Sequence, residues 1–94
     1  MFIIILTYQK EITEVEKHLE AHREYLDSNY KSGNFIASGR QEPRVGGIIL
    51  CRADNKQDVQ LLIQSDPFYI NEVAKYDIIQ FEPTKYVSGF EKFL

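Results

Sequence analysis

The 94-residue sequence is short of the residue types that usually announce dedicated chemistry. It has one cysteine, two histidines, no tryptophan, three prolines and five glycines. The lone Cys51 excludes an internal disulfide framework, and one thiol with two imidazoles is too small a set of soft ligands for a convincing zinc site, so no metal is expected. Positive charge is also scarce. Eleven Lys and Arg against fourteen Asp and Glu leave a formal net charge of −3, with no basic cluster beyond isolated pairs, which argues against partnership with nucleic acid or an anionic membrane. The apolar run Phe2 to Leu6 is too short to span a bilayer, and it lacks the basic flank and cleavage site of a signal peptide. A reducing, cytoplasmic setting is expected. No G-x-G-x-x-G, P-loop, H-E-x-x-H or G-x-S-x-G pattern occurs, so nucleotide, zinc and serine-hydrolase chemistry have no support, and no cofactor is expected.

What remains is ordinary globular material, 44% hydrophobic and 27% charged, enough for one core and one domain over residues 1–94. Residues 2 to 8 are β-branched and aromatic without polar alternation, as in a central strand. Thr13 and Glu16 have the T-x-x-E spacing of a capping box, which predicts one helix from about Glu14 to Lys31, with Gly33 as a left-handed C-terminal cap. A second strand over Phe35 to Ser38, closed by Gly39, and a third over Ile48 to Cys51 suggest a hairpin across the polar loop 40–44. Asp54 or Asn55 caps a helix carrying Val59, Leu62 and Ile63 and ending near Ser65. Asp66 is placed to cap a short turn, with Pro67 at its first position and Phe68, Tyr69 and Val73 beneath. Tyr76 to Phe81 gives the last strand, halted by Pro83. The tail, with Tyr86, Val87, Phe90, Phe93 and Leu94, is too apolar to hang free and is expected to dock.

The order β-α-β-β-α-β implies an α+β, ferredoxin-like sandwich, in which both helices cover one face of a four-stranded antiparallel sheet. The other face would then be bare and apolar, a condition that pairing sheet against sheet in a homodimer relieves.

One residue interrupts the pattern of the first helix. Val15, Leu19, Leu26 and Tyr30 recur at helical spacing, and His22 falls in that series where a leucine would be expected. An imidazole turned toward the core must be hydrogen-bonded, kept neutral or used. His18 lies at a different angle on the helix and reads as solvated.

The run His22-Arg23-Glu24-Tyr25-Leu26, then Gly33, Ser38-Gly39, Gly47, Ser65-Asp66-Pro67-Phe68 and Phe81-Glu82-Pro83, resembles the YCII-related family over nearly the whole chain. The most specific parts are the helix-one histidine and the aspartate of the D-P-[FY] turn. The resemblance implies a dimeric α+β barrel built on the ferredoxin-like fold, with His22 and Asp66 as an active-site pair. One departure is Gly39-Arg40, where many relatives have Gly-Pro, so the loop beside any pocket differs in shape and charge.

In the functional reading Asp66 orients the ring of His22 and supports its protonation while the other nitrogen moves a proton. The structural reading makes Asp66 a helix cap and His22 a packed core residue. Tyr25, Ser38, Arg40 and Phe68 are candidate walls or anion partners, as are Tyr8 and Tyr69, and Ser65 adjoins a turn near the same place; Cys51 reads as buried packing. The activity implied is cofactor-independent acid/base work, elimination or isomerisation, on a small, acidic, possibly aromatic molecule. The alternative is a non-catalytic ligand-binding or accessory protein using the same pocket.

Overall fold

The computed structural model describes residues 1–94. Strand β1 (Phe2–Tyr8) lies inside the sheet, because its apolar side chains on both faces suit only a central place. It pairs antiparallel with β3 (Gly46–Cys51) on one side and β4 (Ala74–Gln80) on the other, and β2 (Phe35–Arg40) forms the outer edge beyond β3. The resulting order, β2-β3-β1-β4, is the antiparallel ferredoxin-like arrangement. Gly46 permits the close approach of β3 to β1, since a Cβ there would stand 1.7 Å from the Leu6 carbonyl oxygen.

Alternation along β1 divides the two faces. Phe2, Ile4 and Leu6 are fully buried and join Phe35, Ile49 and Cys51 in a core completed by Val15, Tyr25, Val59, Ile63 and Phe68 from the helices. Ile3, Ile5, Ile48, Leu50 and Ile79 occupy the opposite face, where register pairs Ile3 with both Leu50 and Ile79 and Ile5 with Ile48. No helix covers that face, and Ile48 and Ile79 stay 37% and 48% exposed.

The expected single helix over 14–31 is two. Helix α1 (Ile12–Lys17) stops at His18, whose φ of −111° and ψ of 5° leave the helical range, and α2 (Leu19–Ser32) starts anew with His18 as its N-cap. The last turn of α1 tightens, His18 N–H bonding to Val15 O, while His22 N–H bonds back to His18 O. The capping box does not form. The helix begins earlier, with Glu11 at the N-cap, so Thr13 sits within the first turn and no side chain caps that end. Gly33 ends α2 in the left-handed region at φ 84°, as expected.

Helix α3 (Lys56–Gln64) is capped by Asn55, which accepts Asp58 N–H at 2.9 Å. Helix α4 (Pro67–Ile70) is capped by Asp66. Phe68 and Val73 are buried beneath it, but Tyr69 points away, 47% exposed, because one turn of helix can bury only one side. Strand β2 runs on to Arg40. Strand β4 starts at Ala74 and stops at Gln80, and Phe81 keeps only one bond, its N–H to Met1 O at 3.0 Å. The tail docks in part. Its 3₁₀ turn (Phe90–Phe93) is tied by Arg52 Nη1 to the Lys92 carbonyl at 3.3 Å, yet Tyr86, Val87 and Leu94 remain open to solvent. No helix is long and apolar enough to cross a membrane.

Candidate active site at the His22–Asp66 pair

Asp66 is entirely buried, and three donors converge on it. Oδ1 accepts the Phe68 backbone N–H at 2.9 Å and lies 2.8 Å from His22 Nδ1, while Oδ2 accepts the Tyr76 hydroxyl at 2.6 Å. The cap and the pair are therefore the same carboxylate, used twice: the turn that Asp66 caps also aims it at α2. An ionised carboxylate only accepts, so Nδ1 carries the proton and, in the neutral ring, Nε2 carries the lone pair. No side chain bonds to Nε2, and no buried side-chain nitrogen or oxygen lacks a partner, so Nε2 reaches open space.

That space is a cavity of about 410 Å³ between α2, β3 and the end of β2. Its walls include Leu6, Tyr8, Leu19, Leu26, Ile49 and Phe68, and its rim carries Arg23, Arg40 and Arg44 against the single carboxylate Glu16. The rim is thus cationic in a chain of net charge −3. Arg44 Nη1 is 3.3 Å from Glu16, and Arg40 Nε is 3.1 Å from Glu42 on the open loop. Both pairs are exposed enough to exchange partners with an arriving anion.

A bulge in β2 places two of the wall residues. Between Phe35 and Ala37 the pairing with β3 slips by one residue, so Ser38 and Arg40, rather than Ala37 and Gly39, share the helix-covered face with Phe35. Ser38 lines the cavity there, its Oγ bonded to the Tyr30 hydroxyl.

Phe68 lies flat on the His22 ring, centroids 3.9 Å apart and planes 4° from parallel. Tyr25 flanks the same imidazole at 6.0 Å, but it does not line the cavity; its hydroxyl donates to Leu62 O at 2.8 Å. Burial, with Asp66 and Cys51 nearby, pushes the Tyr25 phenol well above its usual range. Burial, then Asp66, does the same to Tyr76. Cys51 is buried in β3, its thiol pushed up to about 11 by that burial. Ser65 is exposed and outside the cavity, Tyr69 lines a different hollow, and His18 is half-buried at the helix junction. No three His, Cys, Asp or Glu side chains gather as a metal site.

A family model, the YCII-related domain, matches residues 1–82. The chain belongs to the YCII-related family. Among curated protein sequences no relative matches it. Among solved structures, one with the same fold is 5-chloro-2-hydroxyhydroquinone dehydrochlorinase from Burkholderia phenoliruptrix AC1100, in complex with 2,5-dihydroxybenzoquinone. It superposes with a TM-score of 0.71 over 87% of this chain and 94% of that one, at 14% identity, a likeness of fold alone.

In this YCII-related protein, sequence reasoning placed His22, Asp66, Ser38, Arg40 and Phe68 near a site, and the fold gathers all five. Arg23, Arg44 and Tyr76 were missed. Arg23 had a local signal, since it follows His22 directly on α2; Tyr76 had none, because only the pairing of β4 with β1 brings it under Asp66.

Proposed function

We propose that this YCII-related protein is an enzyme that performs acid/base chemistry on a small, anionic, ring-shaped molecule, with His22 moving the proton and Asp66 orienting it. The observation that carries the reading is one imidazole whose two nitrogens are differently placed: Nδ1 is tied to buried Asp66, and Nε2 is unpartnered at an arginine-rimmed cavity. In the neutral tautomer Nε2 takes a proton from a C–H or O–H bond of the substrate. The electron pair left behind forms a new double bond, and either a leaving group departs with its own pair or the double bond shifts as the imidazolium returns the proton elsewhere. Asp66 holds the imidazolium charge in the interval.

Apolar walls with a cationic rim suit a flat ring bearing a carboxylate or an ionised hydroxyl. The dehydrochlorinase that shares the fold acts on a chlorinated hydroxyhydroquinone, which makes elimination from a hydroxylated ring the first reaction to try. Ser38, Arg40 and Phe68 would touch such a ligand, whereas Tyr25 would act from behind His22. The protein is further proposed to work as a cytoplasmic homodimer, the second copy covering Ile3, Ile5, Ile48, Leu50 and Ile79.

The test is a panel of hydroxylated, halogenated and carboxylated rings screened for binding and then for absorbance change. Turnover that falls on the order of 10²- to 10⁴-fold in His22→Ala, with binding retained, supports the reading. Turnover that survives the substitution overturns it, and compounds that bind without chemical change point to a ligand-binding role of the same cavity.

A further inference from the structure

We propose that Tyr76 is a positioning residue for the His22–Asp66 pair, its hydroxyl setting how strongly the Asp66 carboxylate holds the His22 Nδ1 proton. This rests on the acid/base reading above and extends it to a residue outside the cavity.

Asp66 is buried without any water-facing edge, so its charge is shared only among the donors the fold provides. Oδ1 is divided between His22 and the Phe68 amide, whereas Oδ2 has Tyr76 alone at 2.6 Å, the shortest of the three contacts. A neutral phenol donating to a carboxylate is a strong, charge-assisted bond. Burial and the neighbouring carboxylate both keep that phenol protonated, so it stays a donor throughout the working range. Charge drawn toward Oδ2 is charge withheld from Oδ1, which moderates the pull on the imidazole proton.

The placement of Tyr76 fits this indirect role. It stands on edge strand β4 opposite Leu6, on the helix-covered face, with its ring edge-on to Tyr69. It does not line the His22 cavity; it borders a separate hollow with Gln9, Glu72 and Lys75. Substrate at Nε2 therefore never meets it. Its only route to the chemistry runs through Asp66.

The test is NMR of the His22 ring in the full chain without ligand, reading the imidazole ¹⁵N shifts and the Nδ1 proton resonance. Tyr76→Phe keeps the ring and removes the donor, so the Nδ1 proton is expected to move downfield as more of the Asp66 charge falls on Oδ1, which His22 shares with the Phe68 amide. Site-specific 3-fluorotyrosine at position 76, a stronger donor of nearly the same size, is expected to move it upfield, and it keeps the test open if the phenylalanine variant folds poorly. A residue that only fills space gives no such opposed shifts. Asp66→Asn, which removes the charge, serves as the control and is expected to move the resonance far upfield or lose it to exchange. If Asp66→Asn moves it while neither change at Tyr76 does, the role of Tyr76 is refuted and the pair stands. If Asp66→Asn also leaves it unmoved, or if the ¹⁵N shifts show Nδ1 unprotonated, the acid/base pair itself falls and the role of Tyr76 falls with it.

Discussion

His22 and Phe68 lie face to face, 3.9 Å between ring centroids, and the same Phe68 gives its backbone N–H to the Asp66 oxygen that meets His22 Nδ1. One residue thus fixes the plane of the imidazole with its ring and the carboxylate with its amide. Phe68→Ala is expected to remove the first contact and keep the second, at a cost of about 3–5 kcal/mol from the buried cavity it leaves. Urea unfolding measures it. A loss below about 1 kcal/mol would mean that the ring contributes little packing.

Removing the carboxylate should hurt more than removing the imidazole bound to it. Asp66→Ala strips the acceptor from three donors at once, those of His22, Phe68 and Tyr76, which meet at a carboxylate with no exposed surface of its own. Leaving a buried donor without its acceptor typically costs about 1–3 kcal/mol. His22→Ala leaves Asp66 with two donors beside the open cavity, so a smaller loss is expected. Paired denaturation curves decide the order, and equal losses would show that the Phe68 and Tyr76 bonds carry no weight.

Much of this was legible because it is local. The apolar face of β1, the left-handed Gly33, the Asn55 cap and the Asp66-Pro67 start of α4 each follow from a few adjacent residues. His22 was legible as a polar residue in an apolar series. The break at His18 was not, since neither proline nor glycine marks it and the capping signal of Thr13 and Glu16 pointed elsewhere. Ser38 and Arg40 face the cavity only because a bulge near Ile36 shifts the register, and a bulge without glycine or proline leaves no trace in the alternation. Tyr25 reads from the sequence as a candidate wall. Its hydroxyl instead turns to Leu62 on another helix, a long-range contact that periodicity cannot encode.

The cationic rim gives a prediction about affinity. Arg23, Arg40 and Arg44 line the cavity, and two of them hold only exposed pairs with Glu42 and Glu16. For an anionic ring compound found by screening, Arg44→Gln is expected to weaken binding roughly tenfold, the equivalent of one charge-assisted hydrogen bond. Binding should also weaken with rising salt. Calorimetric titration at two ionic strengths checks both, and salt-independent binding would remove the arginines from the argument.

Alkaline conditions should destabilise the fold through three buried groups. Tyr25, Tyr76 and Cys51 all hold their protons more tightly when folded, chiefly because burial penalises the charged form. A raised folded pKa means that this stability is intact below the unfolded values, about 8.5 for a thiol and about 10 for a phenol, and is lost as pH rises beyond them. The urea midpoint is expected to hold near neutrality and to fall above about pH 9, steadily through pH 11. Tyr76→Phe, having one fewer such group, should show a shallower fall. A midpoint as high at pH 11 as at pH 7 contradicts the account.

The open face of the sheet sets the last prediction. Ile5 and Ile48 are cross-strand partners at its centre, Ile3 joins Leu50 and Ile79, and no helix covers them: Ile48 and Ile79 are exposed, and Ile3, Ile5 and Leu50 are half-buried. Burying apolar surface is worth about 25 cal/mol per Å², so pairing two such faces is the arrangement to test. The 11.0 kDa chain is expected to sediment as a dimer at micromolar concentration. Ile48→Asp leaves the helix-covered core untouched, yet in a symmetric pair it sets an uncompensated charge within each apolar face, so it should yield a folded monomer. Wild-type chain that sediments as a monomer would show that the face is solvated as it stands.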